Sequence, residues 1–410
     1  MQCGLLGRKL SHSYSPQIHS AFGTYDYQLF EVEPEDLNMF FASRSFQGIN
    51  VTIPYKKSVI SYCDNLTPQA ERLGAVNTIV RNSDGTLLGH NTDYYGFLSM
   101  LKRTALTVAD KKVLVLGSGG AGATIYCVLQ DLGANPILIS RSGDNHYGNL
   151  HRHKDAAVIV NATPVGMYPN NGQSPIDLTL FPQLEGVLDV IYNPSRTQLL
   201  MDAQRMGIKT ENGLHMLVAQ AKESSEWFTG HSLNEGVIDS IRNQLQHQME
   251  NIVLVGMPGS GKSTVGKLLA QKVGKRFVDA DEEIIKYAGC TIPVIFATQK
   301  EDGFRKIETH VLSELGRQSG LVIATGGGCV TRQENYSALH QNGKIVWLKR
   351  DIRQLATDGR PLSQSGSLEA MYKAREPLYR RFSDISVTNE HTPMDTADAI
   401  TALLQQEDAK

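Results

Sequence analysis

Residues 113–122 read VLVLGSGGAG, an apolar run that leads directly into a glycine-rich turn. A helical pattern follows over residues 121–132, Gly133 closes it, and residues 136–140 form a second strand-like run. Strand, glycine turn, helix and strand together predict a right-handed βαβ unit. In that setting G-x-G-x-x-G lets the backbone approach a pyrophosphate, which rests on the N-terminus of the helix. The stretch therefore predicts a dinucleotide-binding lobe.

The end of the second strand bears on which dinucleotide is bound. Proteins that bind NAD usually place an acidic residue there to hold the ribose 2′-hydroxyl. This chain has Ser140, Arg141 and Ser142 instead. A cation flanked by hydroxyls suits a 2′-phosphate, so NADP is favoured over NAD. The alternative is that Arg141 is only a solvated surface residue.

A second glycine loop reads GMPGSGKS over residues 256–263 and fits G-x-x-x-x-G-K-[ST] in full. It stands between a predicted strand, 252–255, and a helical run, 262–273. This pattern predicts a loop whose N–H groups hold the phosphates of ATP, with Lys262 reaching the β/γ oxygens and Ser263 binding Mg²⁺. The expected nucleotide contacts are Gly259, Ser260, Gly261, Lys262, Ser263 and Thr264.

Two nucleotide loops in 410 residues predict several α/β domains in one polypeptide. The predicted boundaries are a substrate-binding lobe at 1–103, a Rossmann-like lobe at 104–211, helices that pack back on the first lobe at 212–246, and a P-loop kinase domain with a parallel sheet at 247–410. The net charge of −2 gives no basic surface for nucleic acid, and no apolar run suits a membrane span. Five separated cysteines fit a reducing cytoplasm.

Short polar clusters at predicted strand ends mark the first lobe. Lys56 closes the cluster N-V-T-I-P-Y-K, and Asp93 closes N-T-D. A lysine and an aspartate facing a nicotinamide could handle the proton that accompanies hydride transfer. Equally, Ser, Asn and Asp are common turn formers, and spacing alone leaves that alternative open.

These clusters resemble those of shikimate dehydrogenases. The similarity includes S-x-S-P, N-V-T-x-P-x-K, G-A-x-N-T, N-T-D, N-A-T-P-V-G-M and D-V-I-Y-N-P, in family order over roughly residues 1 to 240. It implies that Lys56 and Asp93 are the catalytic pair. It implies that the substrate is held by Ser13, Ser15, Thr52, Asn77, Asp93 and Gln220. It implies that NADP lies along Gly117, Ser118, Gly119, Gly120, Ala121, Arg141 and Gly213, with Tyr192 near the nicotinamide.

The second half carries its own polar motifs: D-A-D at 279–281, G-F-R-x-x-E at 303–308, G-G-G at 326–328, R-P-L at 360–362 and R-E-P-L-Y at 375–379. Taken singly, Asp279 or Asp281 is a candidate helix cap, and Arg305 with Glu308 is a candidate surface ion pair. The combination resembles shikimate kinase over about residues 250 to 390. That resemblance implies that shikimate is bound by Asp281, Arg305, Gly327, Gly328 and Arg375. It also implies that Asp281 orients the attacking hydroxyl, that Asp279 and Ser263 organise Mg²⁺, and that Lys262 and Arg360 stabilise the moving phosphoryl group.

Both halves depart from their families by a shortening. Only about 20 residues lie between Arg141 and Asn161, which predicts a reduced adenine side of the NADP site. The predicted lid, residues 358–367, lacks the arginine that often precedes R-P in shikimate kinases, and Arg353 is the candidate replacement.

The expected function is NADPH-dependent reduction of 3-dehydroshikimate followed by MgATP-dependent phosphorylation of shikimate, in a cytoplasmic monomer or homodimer. One alternative is a quinate/shikimate dehydrogenase that uses NAD, fused to a small-molecule kinase. The other is a non-catalytic sensor, which the presence of the catalytic side chains disfavours.

Overall fold

The computed structural model describes residues 2–10, 13–23, 25–355 and 368–408. The chain divides into two units: Met1–Val165, Ser174–Tyr192 and Asp202–Arg242 form the first, and Gly166–Gln173, Asn193–Met201 and Asn243–Lys410 form the second. The predicted residue Arg360 and the predicted lid lie outside the described ranges. Among the described helices, none combines the length and apolarity needed to cross a bilayer.

A mixed sheet opens the first unit. Its elements are β1 (Gln2–Gly7), α1 (Ser15–Phe22), β2 (Asp26–Glu31), α2 (Leu37–Ser43), β3 (Gly48–Val51), β4 (Asn65–Leu66), α3 (Pro68–Leu73), β5 (Thr78–Arg81), β6 (Leu87–His90) and α4 (Asp93–Arg103). The strand order is β2-β1-β3-β5-β6-β4, and β5 runs antiparallel to both of its neighbours. The β3 and β5 strands lie next to each other inside the sheet and are buried along most of their length.

A parallel sheet follows in the same unit. It contains β7 (Lys112–Leu116), α5 (Gly120–Asp131), β8 (Asn135–Ile139), β9 (Val158–Asn161), β10 (Gly186–Asp189), α6 (Gln198–Arg205) and β11 (Lys209–Glu211). In the order β11-β10-β9-β7-β8, β8 lies on one side of β7, and the next strand along the chain, β9, lies on the other side. The strand order therefore reverses at β7. Open α/β sheets bind ligands at such a reversal, beyond the carboxyl ends of the strands.

Two helices, α7 (Leu214–Thr229) and α8 (Gly236–Met249), follow this parallel sheet in the chain. The longer α7 packs against α1 and α4 of the first lobe. Its inner face carries small side chains, including Ala219, Ala221 and Ser224, all completely buried. Helix α7 therefore lies close enough to the first lobe to supply side chains to its polar clusters.

The second unit is built on a fully parallel sheet. Its elements are β12 (Asn251–Val255), α9 (Lys262–Val273), β13 (Arg276–Asp279), α10 (Ala280–Ala288), α11 (Ile292–Arg317), β14 (Leu321–Ala324), α12 (Gln333–His340), β15 (Gly343–Lys349), α13 (Leu368–Phe382), β16 (Ile385–Thr388) and α14 (Pro393–Asp408). The order β13-β14-β12-β15-β16 puts β12, which carries the phosphate loop, at the centre. The β12 and β14 strands are completely buried, as their unbroken apolar sequences predict.

Candidate active sites

The dinucleotide loop stands where the parallel sheet of the first unit reverses its strand order, at the carboxyl end of β7. Gly117 has φ +105°, which disfavours any other residue, and a Cβ at Gly122 would lie 1.9 Å from the carbonyl oxygen of Gly117. A Cβ at Gly119 or Gly120 would meet no protein atom within 4 Å. The loop thus turns tightly on its protein side and leaves its outer side open, which fits a bound pyrophosphate.

Arg141 is exposed just beyond β8. The turn around it is closed by the hydroxyl of Ser140, which donates to the carbonyl of Ser142, and by the N–H of Ser140, which donates to the carbonyl of Asn145. A single 3₁₀ segment, Tyr147–His153, connects this turn to β9 in place of a longer helix. The side chain of Arg141 is therefore accessible to solvent, and its role toward a 2′-phosphate stays a prediction.

The first lobe brings Lys56, Asn77 and Asp93 together. Lys56 Nζ lies 2.5 Å from Asp93 Oδ2, and Asn77 Nδ2 donates to Asp93 Oδ1 over 3.0 Å. The side chains of Lys56 and Asp93 are 25% and 11% exposed, so the pair is mostly buried but still accessible to solvent. Both carboxylate oxygens of Asp93 are held, which fixes its plane and the position of the lysine ammonium.

The other predicted substrate residues of this lobe have their own local contacts. Ser13 Oγ accepts from the N–H of Ser15, which begins α1 and is buried. Gln220 projects from α7 next to Gly96 of α4, and Thr52 follows β3 as a half-buried residue.

Two residues predicted to lie along the dinucleotide also have defined surroundings. The ring of Tyr192 meets the ring of Tyr14 edge-on, with 6.1 Å between centroids. A Cβ at Gly213 would lie 2.0 Å from the carbonyl oxygen of Val190, so only glycine fits there.

The phosphate loop of the second unit has its expected shape. Gly259 and Gly261 have φ +83° and +95°, and α9 begins at Lys262. Lys262 is buried, and its Nζ donates to the carbonyls of Gly256 and Met257 over 2.9 and 3.0 Å. The ammonium is thus held at the mouth of its own loop, where the phosphates of a nucleotide bind.

Asp279 caps α10 and also faces the phosphate loop. Its Oδ1 accepts from the N–H of Asp281 over 3.0 Å, and its Oδ2 accepts from Ser263 Oγ over 2.6 Å. The capping alternative is therefore correct but incomplete, because the second oxygen contacts the predicted metal ligand. A hydroxyl in the first turn of α9 and a carboxylate at the end of β13 provide the hard oxygen donors that Mg²⁺ prefers.

A cavity of about 280 Å³ opens beside the phosphate loop. Its lining includes Lys262, Ser263, Asp279, Asp281, Arg305, Glu308, Gly326, Gly327, Gly328 and Arg375, together with the apolar side chains of Ile292, Pro293, Phe296 and Phe304. The cavity therefore brings the predicted shikimate-binding residues together with Lys262, Ser263 and Asp279, whereas predicted residues Ser260 and Arg353 are not part of its lining. A cavity that is lined by two arginines and by the phosphate loop suits a small anionic substrate next to ATP.

Arg305 and Glu308 form a buried ion pair, so the surface-pair alternative is wrong. Arg305 NH1 lies 2.6 Å from Glu308 Oε2, and the two side chains are 6% and 1% exposed. Burial raises the pKa of Glu308, while the neighbouring Arg305 opposes that rise. The sequence spacing predicts only that the two residues share a helix face, and their burial depends on Gly326 and Gly328, whose missing Cβ atoms leave them room.

Arg375 approaches the same cavity from α13. Its NH1 donates to the carbonyl of Gly327 over 3.4 Å, and Tyr379 donates to that carbonyl over 2.5 Å. Arg353 is different: its side chain is 88% exposed and pairs with Asp351 over 2.7 Å. The replacement of the lid arginine by Arg353 remains a prediction.

Asn389 supports the phosphate loop and was not among the predicted residues. It is buried behind β16, its Nδ2 donates to the carbonyl of Ser260 over 2.8 Å, and its Oδ1 accepts from Thr396 over 2.8 Å. A Cβ at Gly261 would lie 2.6 Å from Asn389 Nδ2. A single polar residue after a short strand carries no distinctive sequence signal, so only the fold reveals it.

Comparisons with known proteins match each half separately. Residues 258–405 match the family model of shikimate kinase, and residues 5–79 match that of the shikimate dehydrogenase substrate binding domain. A shikimate dehydrogenase (NADP(+)) of Clostridium perfringens is 36% identical over 265 residues, which cover 59% of this chain and 97% of the relative.

Solved structures resemble the same part of the chain. A chorismate mutase/shikimate 5-dehydrogenase fusion protein from Clostridium acetobutylicum is 36% identical with a TM-score of 0.57, covering 60% of this chain and 97% of its own. Shikimate 5-dehydrogenase from Thermus thermophilus, in complex with NADP(H) and shikimate, is 29% identical with a TM-score of 0.55, covering 60% of this chain and 99% of its own.

Proposed function

This chain belongs to the shikimate dehydrogenase family and carries a shikimate kinase domain behind that part, and we propose that one polypeptide performs both reactions in turn. The first half reduces 3-dehydroshikimate to shikimate with NADPH. The second half phosphorylates shikimate at its 3-hydroxyl with MgATP. The observation that carries the proposal is that each unit holds a predicted reactive pair in contact, Lys56 with Asp93 in the first and Ser263 with Asp279 beside the phosphate loop of the second.

In the reduction, bound NADPH supplies the hydride. Lys56 is the proton donor for the carbonyl oxygen that becomes the 3-hydroxyl, since it is the ammonium held by Asp93 at 2.5 Å. Asn77 keeps the Asp93 carboxylate in plane from the opposite side. Ser13 and Ser15 supply hydroxyls at the start of α1, where the substrate carboxylate binds in this proposal.

In the phosphorylation, bound MgATP supplies the phosphoryl group. Ser263 and Asp279 are the residues that would hold Mg²⁺, and Lys262 neutralises charge on the phosphates. Asp281 orients the attacking hydroxyl, while Arg305 and Arg375 bind the carboxylate of shikimate, because guanidinium groups pair well with carboxylates.

A coupled assay tests both halves together. The full-length protein is supplied with 3-dehydroshikimate, NADPH and MgATP, and the products are identified by mass spectrometry. Shikimate 3-phosphate as the end product supports the proposal, whereas accumulation of shikimate would show that the kinase assignment is wrong. Parallel initial rates with NADH, and with quinate in the oxidative direction, test the NADP and shikimate preferences that Ser140–Arg141–Ser142 and the polar clusters favour.

A further inference from the structure

The group formed by Lys56, Asn77 and Asp93 is connected to a buried hydrogen-bond network of hydroxyl and amide side chains. Ser224 of α7 is at its centre and is completely buried. Ser224 Oγ lies 2.7 Å from Asn50 Nδ2, 3.0 Å from Thr78 Oγ1 and 3.1 Å from Thr92 Oγ1. The three partners come from β3, β5 and the turn before α4, so this one oxygen connects three segments of the lobe to α7.

The donor and acceptor roles around Ser224 follow from its single proton. That proton is donated to the carbonyl of Gln220, one turn earlier in α7, over 2.9 Å. Ser224 Oγ therefore accepts from Asn50 Nδ2 and from the hydroxyl of Thr92, which together fill its two lone pairs, while the hydroxyl of Thr78, 3.0 Å away, donates its proton to Asn77. Asn50 is fixed from its other end as well, because the hydroxyl of Tyr27 donates to its Oδ1 over 2.8 Å.

The network leads from Ser224 to the reacting groups in two steps. The N–H of Thr92 donates to Asn77 Oδ1 over 2.7 Å, and Thr78 Oγ1 donates to the same oxygen over 3.2 Å. With its oxygen taken up in this way, the amide of Asn77 must present its NH₂ to Asp93. Reversal of that amide would place two acceptors face to face in a buried site, which is costly.

We propose that Ser224 is a positioning residue for the dehydrogenase reaction: through Thr92 and Asn77 it fixes the orientation of Asp93 and hence of Lys56. This inference rests on the proposed reduction of 3-dehydroshikimate and assigns a role to a residue that touches neither substrate nor cofactor. The side chain acts through geometry, so its loss should lower the rate of the chemical step more than it weakens binding of NADPH.

The experiment compares Ser224→Ala with Ser225→Ala in the full-length protein. Ser225 is the matched control because it is the next residue of α7, is equally buried and hydrogen-bonds to Tyr25 instead of the network. We expect Ser224→Ala to lower kcat for reduction about tenfold, the effect of leaving buried polar partners unsatisfied, with KM for NADPH unchanged. Ser225→Ala should stay within about twofold of wild type.

A second variant keeps the inference testable if Ser224→Ala destabilises the lobe. Thr92→Val removes, with little change of shape, the hydroxyl that lies 3.1 Å from Ser224 Oγ and also accepts from Asn77 Nδ2 over 3.1 Å, and it keeps the backbone N–H of Thr92. If the residues act through one path, the double variant should be little slower than the slower single variant, because effects through a shared interaction do not add. Equal effects of Ser224→Ala and Ser225→Ala, or fully additive effects of Ser224→Ala and Thr92→Val, would overturn the inference. An inactive wild type would instead overturn the proposed function itself.

Discussion

The substitution Gly328→Ala is expected to disable the kinase by displacing one guanidinium group. The φ of Gly328 is −102°, which alanine adopts readily, so the backbone does not oppose the change. The added methyl, however, would stand 2.1 Å from Arg305 NH2 and 2.4 Å from Arg305 Cζ. Since non-bonded carbon atoms are comfortable at about 3.5–4.0 Å, the guanidinium has to retreat by about 1 Å or more.

Arg305 has little freedom to retreat without loss. Its side chain is 6% exposed, Glu308 holds it at 2.6 Å, and Glu301 holds it at 3.2 Å. A displacement of about 1 Å near a reacting substrate can cost about 100-fold in rate. We therefore expect kcat/KM for shikimate to fall about 100-fold, which corresponds to about 2.7 kcal/mol of transition-state stabilisation.

The assay measures ADP release at varied shikimate, with reduction of 3-dehydroshikimate by the same preparation as the internal control. Reduction should be unchanged, because the substitution lies in the second unit. The variant Arg305→Lys, alone and combined with Gly328→Ala, tests whether the added methyl acts through Arg305. If it does, kcat/KM of the double variant should be only slightly lower than that of Arg305→Lys. A kcat/KM for Gly328→Ala within about threefold of wild type would refute the steric argument.

Three further substitutions test the two sites and the first lobe. Lys56→Ala should lower the reduction rate by about 10²- to 10⁴-fold, the usual contribution of a positioned acid, while ADP release stays near wild type; parallel loss of both activities in a folded variant would contradict independent sites. Lys262→Ala should abolish phosphorylation and spare reduction, and wild-type-like ADP release would exclude the phosphate-loop assignment. His19 is completely enclosed, and burial lowers its pKa to about 3. Because the unfolded chain binds a proton near pH 6.5 and the folded lobe does not, this histidine leaves stability intact above that pH and lowers it as the pH falls. Between pH 7 and pH 5 the free energy of unfolding of the first unit, measured by urea denaturation, should therefore fall by about 2 kcal/mol more in wild type than in His19→Phe. Equal decreases in the two proteins would contradict this role.

The sequence predicts regular elements well where an apolar run meets a glycine loop. The predicted helix at 262–273 agrees with α9 residue for residue, the predicted strand at 252–255 lies within β12, and the run at 113–116 lies within β7. The strands β1, β4 and β16 were not predicted. The β1 strand lies inside its sheet and is mostly buried, but Gly4 and Gly7 interrupt its apolar run. The edge strand β16 is only partly buried and β4 has only two residues, so neither has the apolar pattern that marks β12 and β14.

Site residues could be predicted from the sequence when they belong to a motif, and not otherwise. Residues in motifs, such as Lys56 with Asp93 or Ser263 with Asp279, could be named from the sequence, and the structure places both pairs in contact. Supporting residues could not, because Ser224 finds its partners 132 to 174 positions away in the chain. A buried serine on a helix looks the same in sequence whether it packs or directs a hydrogen bond.

The fusion of the two activities does not by itself require direct transfer of shikimate. Tethered sites experience an effective concentration of about a millimolar at most through a flexible link, and a released intermediate mixes with the bulk far faster than it is turned over. The lag before shikimate 3-phosphate forms should then depend only on the amount and KM of kinase sites. We expect an equimolar mixture of Lys56→Ala and Lys262→Ala chains to show the same lag as wild type at an equal concentration of each working site. A clearly shorter lag in wild type would show that shikimate passes between the two sites without release, provided that the lag resists an excess of the Lys56→Ala, Lys262→Ala double variant, which makes no shikimate and offers a kinase site that can trap it.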